Sequence, residues 1–216
     1  MADFLLKKII INGKNIPIPV PLSTVGAALE WVQATLVPEG HVITRISIND
    51  TPIADEDLIL TEAVRSDTKF ELQVDSPTEL SMQTLDAMLN LTTAVLAKLK
   101  PLAVQCWQAR PIDKPSELDP LAEDLDLIVD LIDHVSGLLV ELHVEPAAIQ
   151  GIESLLRKSL VGLGMARSNS DWRAYARQLL NRVEPLLKDL TDETEVLMVR
   201  MTHNHTRALT GEAKSF

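Results

Sequence analysis

Few residues in this chain have the types and spacing to support chemistry. His203 and His205 flank Asn204, and two imidazoles so placed could begin a metal site. A closed site needs further donors, however, and no Cys, His or Asp cluster stands beside them. The plainer reading is a pair of exposed histidines near a helix end, where the negative pole of the helix favours positive charge. Cys106, in "AVQCWQAR", would need a histidine partner to act as a nucleophile; alone beside Trp107 it reads as a small buried filler. His134 and His143 have no ligand-spaced company and read as boundary or exposed residues. Asp55, Glu56 and Asp57, and Glu123, Asp124 and Asp126, offer paired carboxylates. Acid–base work needs such groups in an apolar cleft with separated pKa values, whereas runs of adjacent acids are ordinarily solvated. "GLG" at 162–164 is not part of a strand-to-helix phosphate loop, and no Walker lysine, dinucleotide fingerprint or G-x-S-x-G occurs. No catalytic, cofactor-binding or metal site is expected, and an enzyme with a site at the junction of two parts is the least supported class. Met82, Met88, Met198 and Met201 read as core or rim fillers, and Trp31, Trp107 and Trp172 as packing anchors.

Composition narrows the choice further. The chain has 216 residues, 46% of them hydrophobic but only 3% aromatic, so its core must be aliphatic, which suits helix packing. A net charge of −11 repels phosphate and argues against nucleic acid or anionic membranes as partners. One cysteine excludes an internal disulfide. No signal peptide is read at the N-terminus, and no uninterrupted apolar run approaches the ~18 residues of a membrane span. The expected location is the cytoplasm.

Residues 1–75 read as a small strand-rich domain. An apolar run from Phe4 to Ile11, the turn "NGKN" and "IPIPVPL" predict a hairpin. Pro17, Pro19 and Pro21 remove alternate N–H groups, all from one lateral edge, so the second run must be an edge strand. Ser23 is the expected N-cap of a helix with Val25, Leu29, Val32 and Leu36 on one face. "HVITRISIN" predicts a strand with Val42, Thr44, Ile46 and Ile48 inward and Arg45, Ser47 and Asn49 outward. "NDTP" turns the chain, and Phe70, Leu72 and Val74 face inward on a last strand.

Hairpin, helix, strand, turn-rich connection and strand is an order that resembles the ubiquitin-like β-grasp family, most tellingly over "ISINDTPIADEDLILTEAVRSDTKFELQV". Ubiquitin-like modifiers end in a flexible Gly-Gly tail; here Val74 runs into "DSPTEL", so the resemblance implies no conjugation. Ubiquitin itself is recognised through an apolar patch on the outer sheet face. The matching positions here are Ser47 and Gln73, both polar.

Residues 76–210 read as an antiparallel four-helix bundle and 211–216 as a frayed end, giving an α+β chain overall. "SPTE" starts the first helix within a residue or two of the last strand, which leaves little slack. Its stripe is Leu85, Leu89, Leu96 and Leu99, and Pro101 should kink it or end its first part. The second helix has the most regular stripe, Leu121, Leu125, Ile128, Ile132, Val135, Leu139 and Leu142. Leu127, Leu131 and Leu138 add a second stripe, which suggests a central position. The third uses Ile149, Ile152, Leu156, Leu160 and Leu163 and should end in "GLGMARSNS". The fourth is capped by Ser168 or Ser170, carries Ala176, Leu179, Val183, Leu186, Leu190, Thr194, Leu197 and Met201, bends at Pro185, and either projects or restarts at Thr191.

Charge is uneven. From Asp113 to Glu145 there are ten acids and one lysine; from Arg157 to Phe216, ten Lys/Arg and seven acids. Either the acidic second helix lies near the basic fourth, or its face, with Glu123, Asp126, Asp130 and Asp133, docks a basic protein partner. The expected function is a non-enzymatic adaptor or scaffold that could also self-associate. The alternative is a cytoplasmic chaperone or export-assisting protein holding an amphipathic or basic segment.

Overall fold

A computed structural model describes residues 6–53 and 60–209, and the side chains of all of these except Lys7 and 204–209. Backbone contacts divide the chain into two compact units, Met1–Pro77 and Thr78–Phe216. The first is built on a five-stranded mixed sheet and the second is helical, so the protein is α+β.

In the first unit β1 (Leu6–Ile11) and β2 (Lys14–Leu22) form an antiparallel hairpin, closed by Asn12 and Gly13, both at positive φ. After α1 (Val25–Thr35) come β3 (Val42–Ile48), β4 (Thr51–Ile53) and β5 (Phe70–Asp75). The strand order is β2-β1-β5-β3-β4, with β1 and β5 parallel at the centre. Asn12 prolongs that central pair past the end of β1. Its amide donates to the Val74 carbonyl at 2.8 Å while its carbonyl accepts the Val74 N–H at 2.9 Å. The proline-rich β2 is at the edge, as its missing donors require. It carries three more residues than β1 between the Leu6–Leu22 and Lys8–Pro17 pairs, and this irregularity leaves Val20 exposed. Ile9, Phe70, Leu72, Val25, Ala28 and Val32 are buried together.

Two local expectations for this unit are corrected. Thr24, not Ser23, caps α1, its hydroxyl accepting from the Ala27 N–H at 3.2 Å, while the Ser23 carbonyl accepts from Val64. The same returning segment crosses Gly26 so closely that a Cβ there would lie 2.9 Å from the Leu60 carbonyl oxygen. On β3 the alternation breaks: Ile43 pairs with Val74 but Arg45 pairs with Gln73, so Thr44 is bulged out of register with β5. Below the bulge Ile46 and Ile48 turn inward as expected. Above it the parity flips, so Ile43 packs on the core and Val42 is 46% exposed. Asp55, Glu56 and Asp57 lie outside the described residues.

The helical unit contains α2 (Pro77–Gln108), α3 (Leu118–Glu141), α4 (Ala147–Ser168), α5 (Trp172–Gln178), a π turn (Leu179–Val183) and α6 (Glu184–Leu209). Among the described residues α2 alone is long and apolar enough, by length and composition, to cross a bilayer; its buried stripe belongs to the helical core. That stripe is Leu85, Met88, Thr92, Val95, Leu99, Leu102 and Cys106, so Met88 is a core residue while Leu89 and Leu96 sit at its margin. Pro101 does not end α2: it is exposed, as is Ala97, whose carbonyl loses its partner. The α3 stripe is buried from Leu121 to Leu139 and half-buried at Leu142, but Val129 and Ser136, not Leu127, widen it. Leu127 and Val140 are exposed, so α3 keeps a solvent face and is not central. The closest backbone approaches belong to α4, to α3 on one side and to α5, the π turn and α6 on the other. Small residues make this possible: a Cβ on Gly162 would meet the Gln178 amide at 3.2 Å. Gly162 and Gly164 are therefore inside α4 and do not end it. Asp171, rather than Ser168 or Ser170, caps α5, accepting from the Ala174 N–H at 2.9 Å.

Helix then runs without a break from Trp172 to Leu209, through Thr191, whose hydroxyl bonds back to the Leu187 carbonyl at 3.0 Å. Pro185 is tolerated because the turn before it is widened: the Glu184 N–H donates to the Leu179 carbonyl, five residues back. The buried positions become Trp172, Ala176, Leu179, Val183, Leu187, Leu190, Thr194, Leu197 and Met201, with two successive steps of four where the helix unwinds. Leu187 thus takes the buried place expected of Leu186, which is half-buried. We expect Leu187→Ala to cost about 2–5 kcal/mol and Leu186→Ala clearly less, read from urea unfolding midpoints. The reverse order would deny the phase shift.

Candidate functional site

The acids of α3 fall into two groups. Asp119 meets Lys114 and Arg167, Asp124 accepts from Lys98 at 2.8 Å, and Asp133 meets Arg157, which also holds Glu153. The cations come from α2, the α2–α3 connector and α4, not from the fourth helical segment as expected, because α4 is the close neighbour of α3. Lys114 beside Asp119 holds its carboxyl below the usual carboxylate range, with Arg167 assisting against the opposing effect of burial. The hydrogen bond from Lys98 to Asp124 raises the pKa of Lys98, and contact with Glu153 and then Asp133 raises that of Arg157. Glu123, Asp126 and Asp130 form the second group. They are exposed and have no ion-pair or hydrogen-bond partner among the described residues. Of the four acids read from the sequence as one docking face, Asp133 is therefore already engaged internally and three are free. Arg157, Arg167 and Lys98 were absent from that reading. The signal for them was available, since an antiparallel α3–α4 pair sets positions near 119 and 133 against positions near 167 and 157.

On the first unit, Arg45, Ser47, Gln73 and Asp75 line a polar hollow on the sheet, so Ser47 and Gln73 share one surface. Asp75 is over nine-tenths buried; it accepts from the Thr44 hydroxyl at 2.6 Å and from the Gln73 amide at 3.2 Å. The Thr44 bulge therefore serves to seat this carboxylate. Lys69 bridges Asp50 and Glu71 nearby, with Asp50 the main cause of its raised pKa.

The remaining chemistry-bearing residues do not assemble. His134, His143 and His203 are exposed, and the His205 side chain lies outside the described residues. No group of three or more His, Cys, Asp or Glu side chains among the described residues could hold a metal ion. Cys106 is fully buried, and burial pushes its thiol up to about 11. Burial likewise pushes the Tyr175 phenol up to about 12, with Cys106 close enough to add to the effect. Trp172 is an anchor: it is buried and its ring N–H donates to the Arg110 carbonyl at 3.1 Å. Trp107, expected to anchor, is 45% exposed. No family model, curated protein or solved structure matches the chain.

Two expectations follow. Cys106 stays a neutral thiol at pH 8 and should not react with a disulfide reagent until urea unfolds the chain; fast labelling of native protein would contradict its burial. Asp119 and Glu184, the latter held down chiefly by Lys188, have folded pKa values below their unfolded ones. Their contribution is present above the ordinary carboxylate pKa of about 4 and is lost as pH falls through the folded values. Asp119→Asn should therefore lower the urea midpoint at pH 7 and lose less on acidification than the parent chain; equal acid sensitivity in both would count against this pairing.

Proposed function

We propose that this protein is a non-enzymatic interaction adaptor or scaffold: a ubiquitin-like β-grasp head, not conjugated, carried on an antiparallel four-helix bundle. The head reading is supported by the order β2-β1-β5-β3-β4 about a parallel β1–β5 pair, with one helix, α1, in its core. β5 passes directly into α2 at Pro77, where a modifier would release its tail. The bundle reading is supported by four helical segments of 3- and 4-spaced aliphatic residues that share one core. A single buried thiol suits a reducing cytoplasm.

One observation carries the adaptor reading. On α3, three exposed carboxylates stand in line without a cation among the described residues, while Asp119, Asp124 and Asp133 on the same helix are each answered from within. Like charges three and four residues apart repel, and a basic partner turns that cost into attraction. Partner capture by the intact chain tests this. Wild type should retain a protein in fixed stoichiometry, and E123Q/D126N/D130N, with an unchanged urea midpoint, should lose it. Identical retention by both proteins would sink the assignment of this face.

A further inference from the structure

Across α4 from the acidic line, the widened turn before Pro185 opens a cleft of about 470 Å³. Leu155, Pro185 and Leu186 supply its apolar lining, and Lys158 and Arg182 line it as well. Leu155 is 50% exposed, and Met165, further along α4, is 64% exposed. Neither Lys158 nor Arg182 has a carboxylate partner among the described residues, although most cations of this unit do. The cleft follows from the backbone: Pro185 has no N–H to offer the Asn181 carbonyl, and the π turn that accommodates it alters the helix's phase beside α4.

The surface that fits this cleft is an apolar knob flanked by carboxylates. Such a surface is present at Leu127, 49% exposed on α3, with Glu123, Asp126 and Asp130 around it. It cannot reach the cleft within its own unit. Arg157, which binds Asp133, and Lys158, which lines the cleft, are consecutive on α4 and so point about 100° apart. Acidic line and basic cleft thus lie on different sides of the same helix.

We infer that the cleft is the seat for the outer face of α3 from a second copy of this chain. Leu127 packs on Leu155, Pro185 and Leu186, and Asp126 and Asp130 meet Lys158 and Arg182. Each copy offers both surfaces, so association needs no other component. This rests on the reading of α3 as a docking face and names its partner.

Light scattering on the full chain tests it. At low salt the wild-type mass should rise above 23.8 kDa with concentration and fall back as salt is added. D126K/D130K and K158E/R182E should each lose association while keeping native circular dichroism, since all four side chains are exposed. Mixing the two variants, or combining them in one chain, should restore it. A wild type that stays monomeric at every concentration, association that survives either reversal, or no recovery on mixing would overturn the inference. If self-association fails while E123Q/D126N/D130N still loses its captured partner, the cleft assignment falls and the adaptor reading stands. If neither measurement responds to α3, both fall.

Discussion

Pro185 sits in a helix that must stay on the core from Trp172 to Met201, and much of the helical unit is arranged around that constraint. A proline inside a helix lacks a donor and crowds the preceding turn, at a cost of about 3 kcal/mol if nothing adjusts. Here the turn Leu179–Val183 widens, the Glu184 N–H reaches Leu179, and helix continues on both sides. The adjustment moves the buried place from Leu186 to Leu187 and keeps Leu190, Thr194, Leu197 and Met201 on the core. It also leaves Pro185 and Leu186 lining an open cleft beside α4.

The sheet unit has a comparable device. Strand alternation is a strict two-residue period, so a single extra residue reverses every side chain beyond it. Thr44 is that residue on β3. Its displacement exposes Val42, brings Ile43 inward and places a hydroxyl on the buried Asp75. Asn12, at positive φ, continues the central parallel pair with its side chain where the backbone can no longer do so. Asn12 does backbone work with its side chain at the end of a strand, while Thr44 bonds a buried side chain from within one. Neither leaves a trace in hydrophobic periodicity.

Charge on α3 is divided by what lies opposite. Asp119, Asp124 and Asp133 are within reach of Arg167, Lys98 and Arg157; Glu123, Asp126 and Asp130, on the same helix, face outward. By sequence, Asp133 fell on one face with Glu123, Asp126 and Asp130. Only the packing of α3 on α2 and α4 separates those that stabilise the unit from those open to another molecule.

Taken alone, the amino-acid order determined what depends on local rules. β2 had to be an edge strand because its prolines lack donors, and α3 had to pack along Leu121–Leu139 because a 3- and 4-residue spacing is one face of a helix. Cys106, with no histidine at motif spacing, reads as a small buried filler, and the structure buries it. The tertiary structure decided whatever depends on a neighbour across space: Leu187 in place of Leu186, the reversed parity of β3, Thr24 as the cap of α1, and which carboxylates of α3 are free. Periodicity reports that a face is buried, but not what is buried against it. A one-residue widening or bulge costs too little, and is compensated too locally, to mark the sequence that contains it.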